Sequence, residues 1–385
     1  MQAPPPPCAR RSAARRSARC EPVNTPLTRP RIPTIRDVAR TAGVSLGTAS
    51  RVLNRQESVK PEIRARVESA IETLGYRPNA VAQSMRSRNT KTVGCIVRDI
   101  SIPVLAAFVR AAQHELDRAG YAFLLANSEG QREREMRFLL TLAARKVDAL
   151  LIGQYSENDE DFHRLLKSLG IPVVLVEREM PLWASAVMVD HGKAVKQATA
   201  HLLGLGHRRI ALLTGNPALF PASSRIKGYE AAHAESGLAI DRDLVRSDSF
   251  LPDYAYAQTD ALMRASDPPT AIIAGGIDML AGILRALRAL GLAVPQDVSL
   301  VAASDSDLAA LSEPPISVER WDYSRLGRVA AKLVLHAIRG GTAVKPRRVL
   351  VPAGFLPRDS CASPRPQQGK FLGVATDSAP QAMNR

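Results

Sequence analysis

The sequence predicts an α/β protein: a short N-terminal three-helix unit of helix-turn-helix layout, then a body of alternating strands and helices. Three observations carry that expectation. Helical periodicity with matching start and stop signals runs from Thr34 to Gly75. From Lys91 to about Asp359, short β-branched and aliphatic runs alternate with helical stretches. Charge divides at the same place: the first 91 residues carry a net +12 and the remaining 294 a net +3. A basic segment on a near-neutral body points to a nucleic-acid partner for that segment, not to a fold.

The head is read in order. Thr34-Ile35-Arg36-Asp37 has the S/T-x-x-acid form of a capping box. Ile35, Val38, Ala39 and Ala42 then recur at i, i+3, i+4 and i+7, one helical face, and Gly43 supplies the stop. Ser45 suits the cap of a second helix with Ala49, Val52 and Leu53 inward. Pro61 suits the first turn of a third helix, whose inward positions are Ile63, Val67, Ile71 and Leu74. Helix, short Gly-containing turn, helix is the DNA-binding layout. It sets the first residues of the second helix, Leu46 and Gly47, and Arg51 one turn on, against base edges. Arginine can bond guanine O6 and N7 together, leucine can touch a thymine methyl, and glycine offers no side chain.

In the body, strands are expected at Thr92–Val97, Tyr121–Ala126, Ala149–Ile152, Pro172–Val176, Ile210–Thr214, Ala271–Ala274 and Ser299–Ala302. Helices are expected at Val104–Ala119, Arg132–Arg145, His191–Leu205, Ser223–Ser236 and Met279–Leu290. Such alternation implies parallel sheets covered on both faces, and the length holds two of them. Ligands in such sheets bind beyond the carboxyl ends of the strands.

The flanks are polar and aperiodic. Residues 1–33 read as a disordered basic arm and 361–385 as a disordered tail. The arm has arginines but no apolar core of a secretory signal. No apolar run approaches the ~18 residues of a membrane span, so no membrane partner is expected. Cys8, Cys20, Cys95 and Cys361 contain no C-x-x-C pair, which argues against a zinc site or disulfide scaffold. The seven histidines form no ligand cluster, and His207 reads as solvated. No metal, no cofactor and a cytoplasmic location are the expectations.

Thr34–Asn54, TIRDVARTAGVSLGTASRVLN, resembles the DNA-binding segment of the LacI/GalR family of bacterial transcription regulators. The similarity continues through Val59–Val67 and Gly75-Tyr76-Arg77-Pro78-Asn79-Ala80-Val81-Ala82-Gln83. In the body it covers Gly206–Ile210, Arg225-Ile226-Lys227-Gly228-Tyr229 and Val294–Leu300. The resemblance implies a helix-turn-helix domain at 34–78, a hinge helix and linker at 79–91, and a periplasmic-binding-protein-like effector domain of two Rossmann-like lobes at 92–360. It implies a homodimer on double-stranded operator DNA. The DNA-facing set it implies is Thr34, Ser45, Leu46, Gly47, Thr48, Ser50, Arg51, Asn54, Tyr76, Asn79, Ala82 and Met85. Asn79 would cap the hinge helix. Met85 stands where the family usually has the leucine that wedges into the minor groove, a role any apolar side chain can fill. Lys60 replaces a usual Ser or Thr helix cap; it cannot accept the N–H bond, at a cost of about 1 kcal/mol.

The same resemblance implies an effector set of Asp99, Ser101, Arg225, Phe250, Asp278 and Asp305. Arg225 would contact polar groups of the effector, or form a structural ion pair. Phe250 would stack on the ligand, or pack in the core. Asp99 and Ser101 end the first strand, where the usual Asn-Pro-Phe is replaced by Ile102-Pro103-Val104. Ile277 and Ser304 stand where the family usually has carboxylates, with Asp278 and Asp305 next to them. Either a one-residue shift lets these aspartates serve, or the cleft is less acidic. In the second case Arg225, with Arg178 and Arg320, suits an anion. The effector is thus expected to be a sugar, a sugar acid or another carboxylate. Trp321 reads as a lobe-crossover or dimer-contact residue.

Two other classes fit the sequence less well. A solute-binding protein of the same two-lobe fold, without regulatory role, would need a secretion signal and no helix-turn-helix. A Rossmann enzyme would need a phosphate loop, and G-x-x-x-x-G-K-S/T is absent. Gly43-Val44-Ser45-Leu46-Gly47 matches the nucleophile elbow G-x-S-x-G, but that motif needs a preceding strand, and a capped helix precedes it here. The expectation is a ligand-responsive, sequence-specific regulator, a repressor of a catabolic operon, and not an enzyme.

Overall fold

The computed structural model describes residues 33–53, 56, 58–77, 89–341 and 344–365. They fall into two compact units, a head within Met1–Ala80 and a body within Val81–Arg385. The arm 1–32, the expected hinge helix (Asn79, Ala82, Met85), Asn54 and the tail from 366 lie outside the described residues.

The head is the expected helix-turn-helix with a third helix: α1 (Ile35–Ala42), α2 (Leu46–Leu53) and α3 (Pro61–Leu74). Asp37 closes the start of α1, its Oδ2 accepting from Thr34 N at 2.9 Å and Thr34 Oγ1 at 2.7 Å. Ser45 Oγ accepts from Thr48 N at 3.1 Å and so caps α2. Val38, Ala42, Val52, Val59, Val67 and Ala70 form the buried core, with Ile63, Ile71, Leu74 and Tyr76 packed against it. The turn between α1 and α2 requires glycine for two reasons. Gly43 has φ +62°, and a Cβ there would lie 2.7 Å from Arg66 Nη2. That guanidinium donates to Ala42 O at 2.6 Å and Gly43 O at 3.2 Å, satisfying carbonyls that the end of α1 leaves free. Lys60, the residue before α3, makes no side-chain cap bond.

The body is two six-stranded, mostly parallel sheets. The first contains β1 (Thr92–Val97), β2 (Ala122–Asn127), β3 (Ala149–Ile152), β4 (Val173–Val176), β5 (Ser185–Val189) and β11 (Arg348–Val351), in the order β11-β5-β4-β3-β1-β2. The second contains β6 (Ile210–Gly215), β7 (Val245–Asp248), β8 (Ala271–Ala274), β9 (Ser299–Ala302), β10 (Ser317–Trp321) and β12 (Ala353–Leu356), in the order β12-β10-β9-β8-β6-β7. Among the described residues only β10 and β12 pair antiparallel. Central strands such as β3, β4, β8 and β9 are buried at every position. This is why their sequences read as continuous aliphatic runs, each fully buried Leu, Ile or Val contributing about 1.5–3 kcal/mol.

Nine described helices complete the body. They are α4 (Pro103–Arg118), α5 (Arg132–Ala144), α6 (Glu160–Ser168), α7 (His191–Gly204), α8 (Phe220–Glu235), α9 (Pro252–Met263), α10 (Met279–Ala289), α11 (Asp307–Leu311) and α12 (Tyr323–Gly340). The chain passes between the lobes three times. It leaves β5 through α7 to β6, returns from β10 through α12 to β11, and crosses again from β11 to β12.

Two expectations are corrected. His207 is buried, not solvated: its Nδ1 lies 2.8 Å from Thr270 Oγ1, and its Nε2 lies 3.0 Å from Ser299 Oγ and 2.9 Å from Ala362 O. Ala362 N also donates to Ser299 Oγ, so Cys361 and Ala362 belong to the second lobe and not to a tail. The basic neighbours of His207 in sequence hid the polar site that the chain end builds around it.

Replacing Lys60 by Ser supplies the missing cap and is expected to raise the head's stability by about 0.5–1 kcal/mol, read by thermal or urea melting. Burial holds His207 below its usual pKa, the carbonyl of Ala362 partly offsetting this. The unfolded chain therefore binds more protons, and stability is lost as pH falls below about 6.5. Melting temperature measured between pH 7.5 and 5.5 should decline, and His207→Gln should flatten that decline.

Candidate functional site

The head presents one face of α2 to solvent. Ala49 and Val52 are buried beneath it, while Leu46, Gly47 and Arg51 are exposed, Leu46 to 40%. Thr48 and Ser50 are half-buried at its margins, and Thr34 is exposed at the start of α1. Tyr76 is half-buried against the head core. An exposed leucine at the start of a helix has no folding role that burial would reward. Gly47 is informative too. A Cβ there would meet only Ser45 Oγ, at 3.8 Å, so packing does not demand glycine. Glycine costs a helix interior about 1 kcal/mol relative to alanine, and here it leaves a smooth, exposed surface beside Leu46 and Arg51. The elbow-like Ser45 follows a helix and a turn, and its Oγ caps α2, so it is not arranged as a nucleophile.

The body holds a half-open cavity of about 150 Å³ between its sheets. Strand ends and the residues just beyond them supply much of its wall: Val97 and Arg98 after β1, Gly153 after β3, Glu177 and Arg178 after β4, and Gly276 and Ile277 after β8. Arg225, Phe250, Trp321 and Tyr323 close the other side. Phe250 stands against backbone: a Cβ on Gly215 would lie 2.2 Å from its ring and one on Gly276 2.8 Å away. Those two glycines fix the ring at the cavity wall.

A buried polar relay runs along the cavity. Arg225 Nη2 lies 2.9 Å from His191 Nδ1, and its Nε lies 3.3 Å from both Glu319 oxygens. A guanidinium only donates, so His191 Nδ1 accepts and Nε2 carries the proton. Nε2 then donates to Glu177 Oε2 at 2.6 Å, while Glu177 Oε1 accepts from Val189 N at 2.7 Å. Glu177 holds φ +56°, a left-handed conformation that a non-glycine residue keeps only when its surroundings impose it. Trp321 meets the His191 ring edge-on at 5.4 Å.

Two more contacts tie the lobes. Glu157, buried after β3, accepts from Glu179 N and Met180 N in its own lobe and from Phe220 N, the first residue of α8, in the other, at 2.6–2.9 Å. Arg98 lies 3.7 Å from Asp278 across the cleft. Burial raises the Asp278 carboxyl above its usual range, and Arg98 opposes the shift.

Arg225 and Phe250, both in the sequence-derived effector set, line the cavity; Arg225 is at once a wall residue and half of a buried ion pair. Asp99, Ser101, Asp278 and Asp305 are not wall residues of this cavity. Asp99 accepts from Ser101 N, which with the nearby Arg98 lowers its pKa. Asp305 is exposed and pairs with Arg358 and, at 3.7 Å, with Arg320. Arg320 is therefore engaged outside the cavity, while Arg178 is buried in its wall. Trp321 is both a crossover residue and a wall residue. Sequence reading missed Arg98, Glu157, Glu177 and His191. The strand-end rule marks Arg98 and Glu177; nothing local marks Glu157 or His191.

Comparisons with known proteins agree with this geometry. Residues 34–79 match the model of bacterial regulatory proteins of the lacI family, and residues 199–361 match the periplasmic binding protein-like domain. The chain is 31% identical over 307 residues to the HTH-type transcriptional repressor PurR of Glaesserella parasuis serovar 5 (strain SH0165), covering 80% of this chain and 90% of that protein. It is 32% identical over 303 residues to catabolite control protein A of Priestia megaterium, covering 78% and 91%. Among solved structures, the transcriptional regulator CelR in complex with cellobiose superposes with a TM-score of 0.65 at 33% identity, over 85% of this chain and 99% of that one. A head with an exposed recognition helix and a two-lobed body around a cavity thus meet in one sequence: the chain belongs to the lacI family of bacterial regulatory proteins and is a ligand-responsive, DNA-binding transcriptional regulator.

Proposed function

We propose that the chain represses a catabolic operon as a homodimer that reads a pseudo-palindromic operator, base by base, through Leu46, Gly47 and Arg51. Thr34, Ser45, Thr48, Ser50, Asn54 and Tyr76 complete the DNA-facing set of the head, Asn79 caps a hinge helix that includes Ala82, and Met85 is its minor-groove wedge. The observation that carries this reading is the exposed face of α2, where an apolar side chain, a bare glycine and an arginine stand over a packed inner face. The edge strand β2 exposes Leu124 and Leu125, one on each face, and a second copy set against this edge would cover them.

The effector binds in the interlobe cavity, against Arg225 and Phe250 and between Arg98 and Arg178. Three arginines border that cavity: Arg225 is paired with Glu319 and Arg98 with Asp278, whereas Arg178 bonds only backbone carbonyls, and the wall's one carboxylate, Glu177, has both oxygens engaged. This balance favours a small anion, a sugar acid or another carboxylate, over a neutral sugar. Ligand in the cavity would alter the relay and the Arg98–Asp278 contact, and with them the angle between the lobes. Coupling of this kind is worth about 1–3 kcal/mol in operator affinity.

A gel shift of the full chain with genomic fragments at low salt tests the regulator reading; no retained fragment would remove it. On a retained operator, Arg51→Ala should cost about 1–3 kcal/mol and relax preference at one base pair. An equal loss on all sequences would make Arg51 a phosphate contact.

A further inference from the structure

The cavity narrows the effector beyond its charge, on the premise that this cavity is the effector site. We propose that the effector is a small monocarboxylate with a compact hydrocarbon body, an aromatic ring or a branched alkyl group, and not a polyhydroxylated acid.

Size is the first argument. About 150 Å³ is the volume of an apolar cavity that accepts benzene. The walls are the second. The lining is mostly apolar, Ile102, Phe108, Leu219, Phe250, Ile277 and Trp321 among its residues. Phe250 is clamped against Gly215 and Gly276 and presents a fixed ring, suited to a flat or branched apolar group.

The third argument is the balance of donors and acceptors. Each hydroxyl of a polyol brings a hydrogen that needs an acceptor, and a buried hydroxyl without one loses affinity. The wall carboxylate, Glu177, is committed to Val189 N and His191 Nε2. Glu319 behind it is committed to Arg225. At position 277, where a carboxylate would serve a sugar, the wall carries isoleucine. Donors are the surplus. Arg178 gives Nε to Gln154 O at 2.6 Å and Nη1 to Glu177 O at 2.7 Å, and its Nη2 has no partner among the described residues. Two further wall residues hold buried polar atoms without a partner among the described residues, Trp321 Nε1, a donor, and Tyr323 Oη, which can donate or accept. A carboxylate brings acceptors only and matches a guanidinium edge. One carboxylate set toward Arg178 and Arg98 leaves the rest of the cavity for hydrocarbon.

The test is isothermal titration calorimetry on the full chain with benzoate, isovalerate, benzamide, gluconate and glucose, alongside a gel shift without ligand. We expect benzoate or isovalerate to bind at least tenfold tighter than benzamide, gluconate and glucose. Ile277→Asp, which adds a carboxylate to the wall, should weaken that binding at least tenfold. Gluconate binding as tightly as the best hydrocarbon acid overturns this inference and leaves the anion site standing. Glucose or benzamide matching that acid overturns both. Binding of no member of the panel overturns the inference as well, and the gel shift reports separately whether the regulator reading survives.

Discussion

One imidazole joins the two sheets of the body. His191 accepts from Arg225, which belongs to the second lobe, and donates to Glu177, which ends a strand of the first. Every member of this relay is engaged: Arg225 by Glu319, Glu177 by Val189 N. Buried charges persist only when paired and hydrogen-bonded, so the four side chains hold one another in place. Because the relay forms one wall of the cavity, the closeness of the lobes and the chemistry of the site are a single arrangement. Glu157 and the Arg98–Asp278 contact act at the same seam. A ligand that touches Arg98, Arg178 or Arg225 thus acts on the contacts that fix the lobe angle.

The head obeys a different economy. Its core is small, and its stability comes from caps and a tied turn as much as from burial. Asp37 closes one helix, Ser45 caps the next, and Arg66 holds the end of the first through a turn that admits only glycine. These devices leave α2 free to display Leu46, Gly47 and Arg51 on its exposed face. The net +12 of the first 91 residues is shared between the arm and the head that carries this exposed face.

Most of the fold was legible in the sequence because its signals are local. Continuous aliphatic runs marked Thr92–Val97, Ala149–Ile152, Ala271–Ala274 and Ser299–Ala302 to the residue, since central parallel strands bury every side chain. The head was legible through caps and periodicity. The site was legible only in part. Arg225 and Phe250 followed from motif position. Asp99 and Asp305 did not reach the cavity, because each has a nearer partner: Ser101 N for one, Arg358 for the other. His191, Glu157 and Glu319 were silent, because a buried polar group is defined by partners 14 to 94 residues away that no local pattern specifies. His207 was misread for the same reason, its partners coming from Thr270, Ser299 and Ala362.

The central claim is that the relay across the lobes governs how tightly the head holds DNA. Its most direct test is operator affinity, by fluorescence anisotropy at one fixed salt concentration, of the wild-type chain and His191→Phe. The variant removes both relay bonds at a site remote in sequence from the head. The account predicts that operator Kd changes by about 5–150-fold while the melting of the head is unaltered. Equal affinities, with both proteins folded, would contradict it.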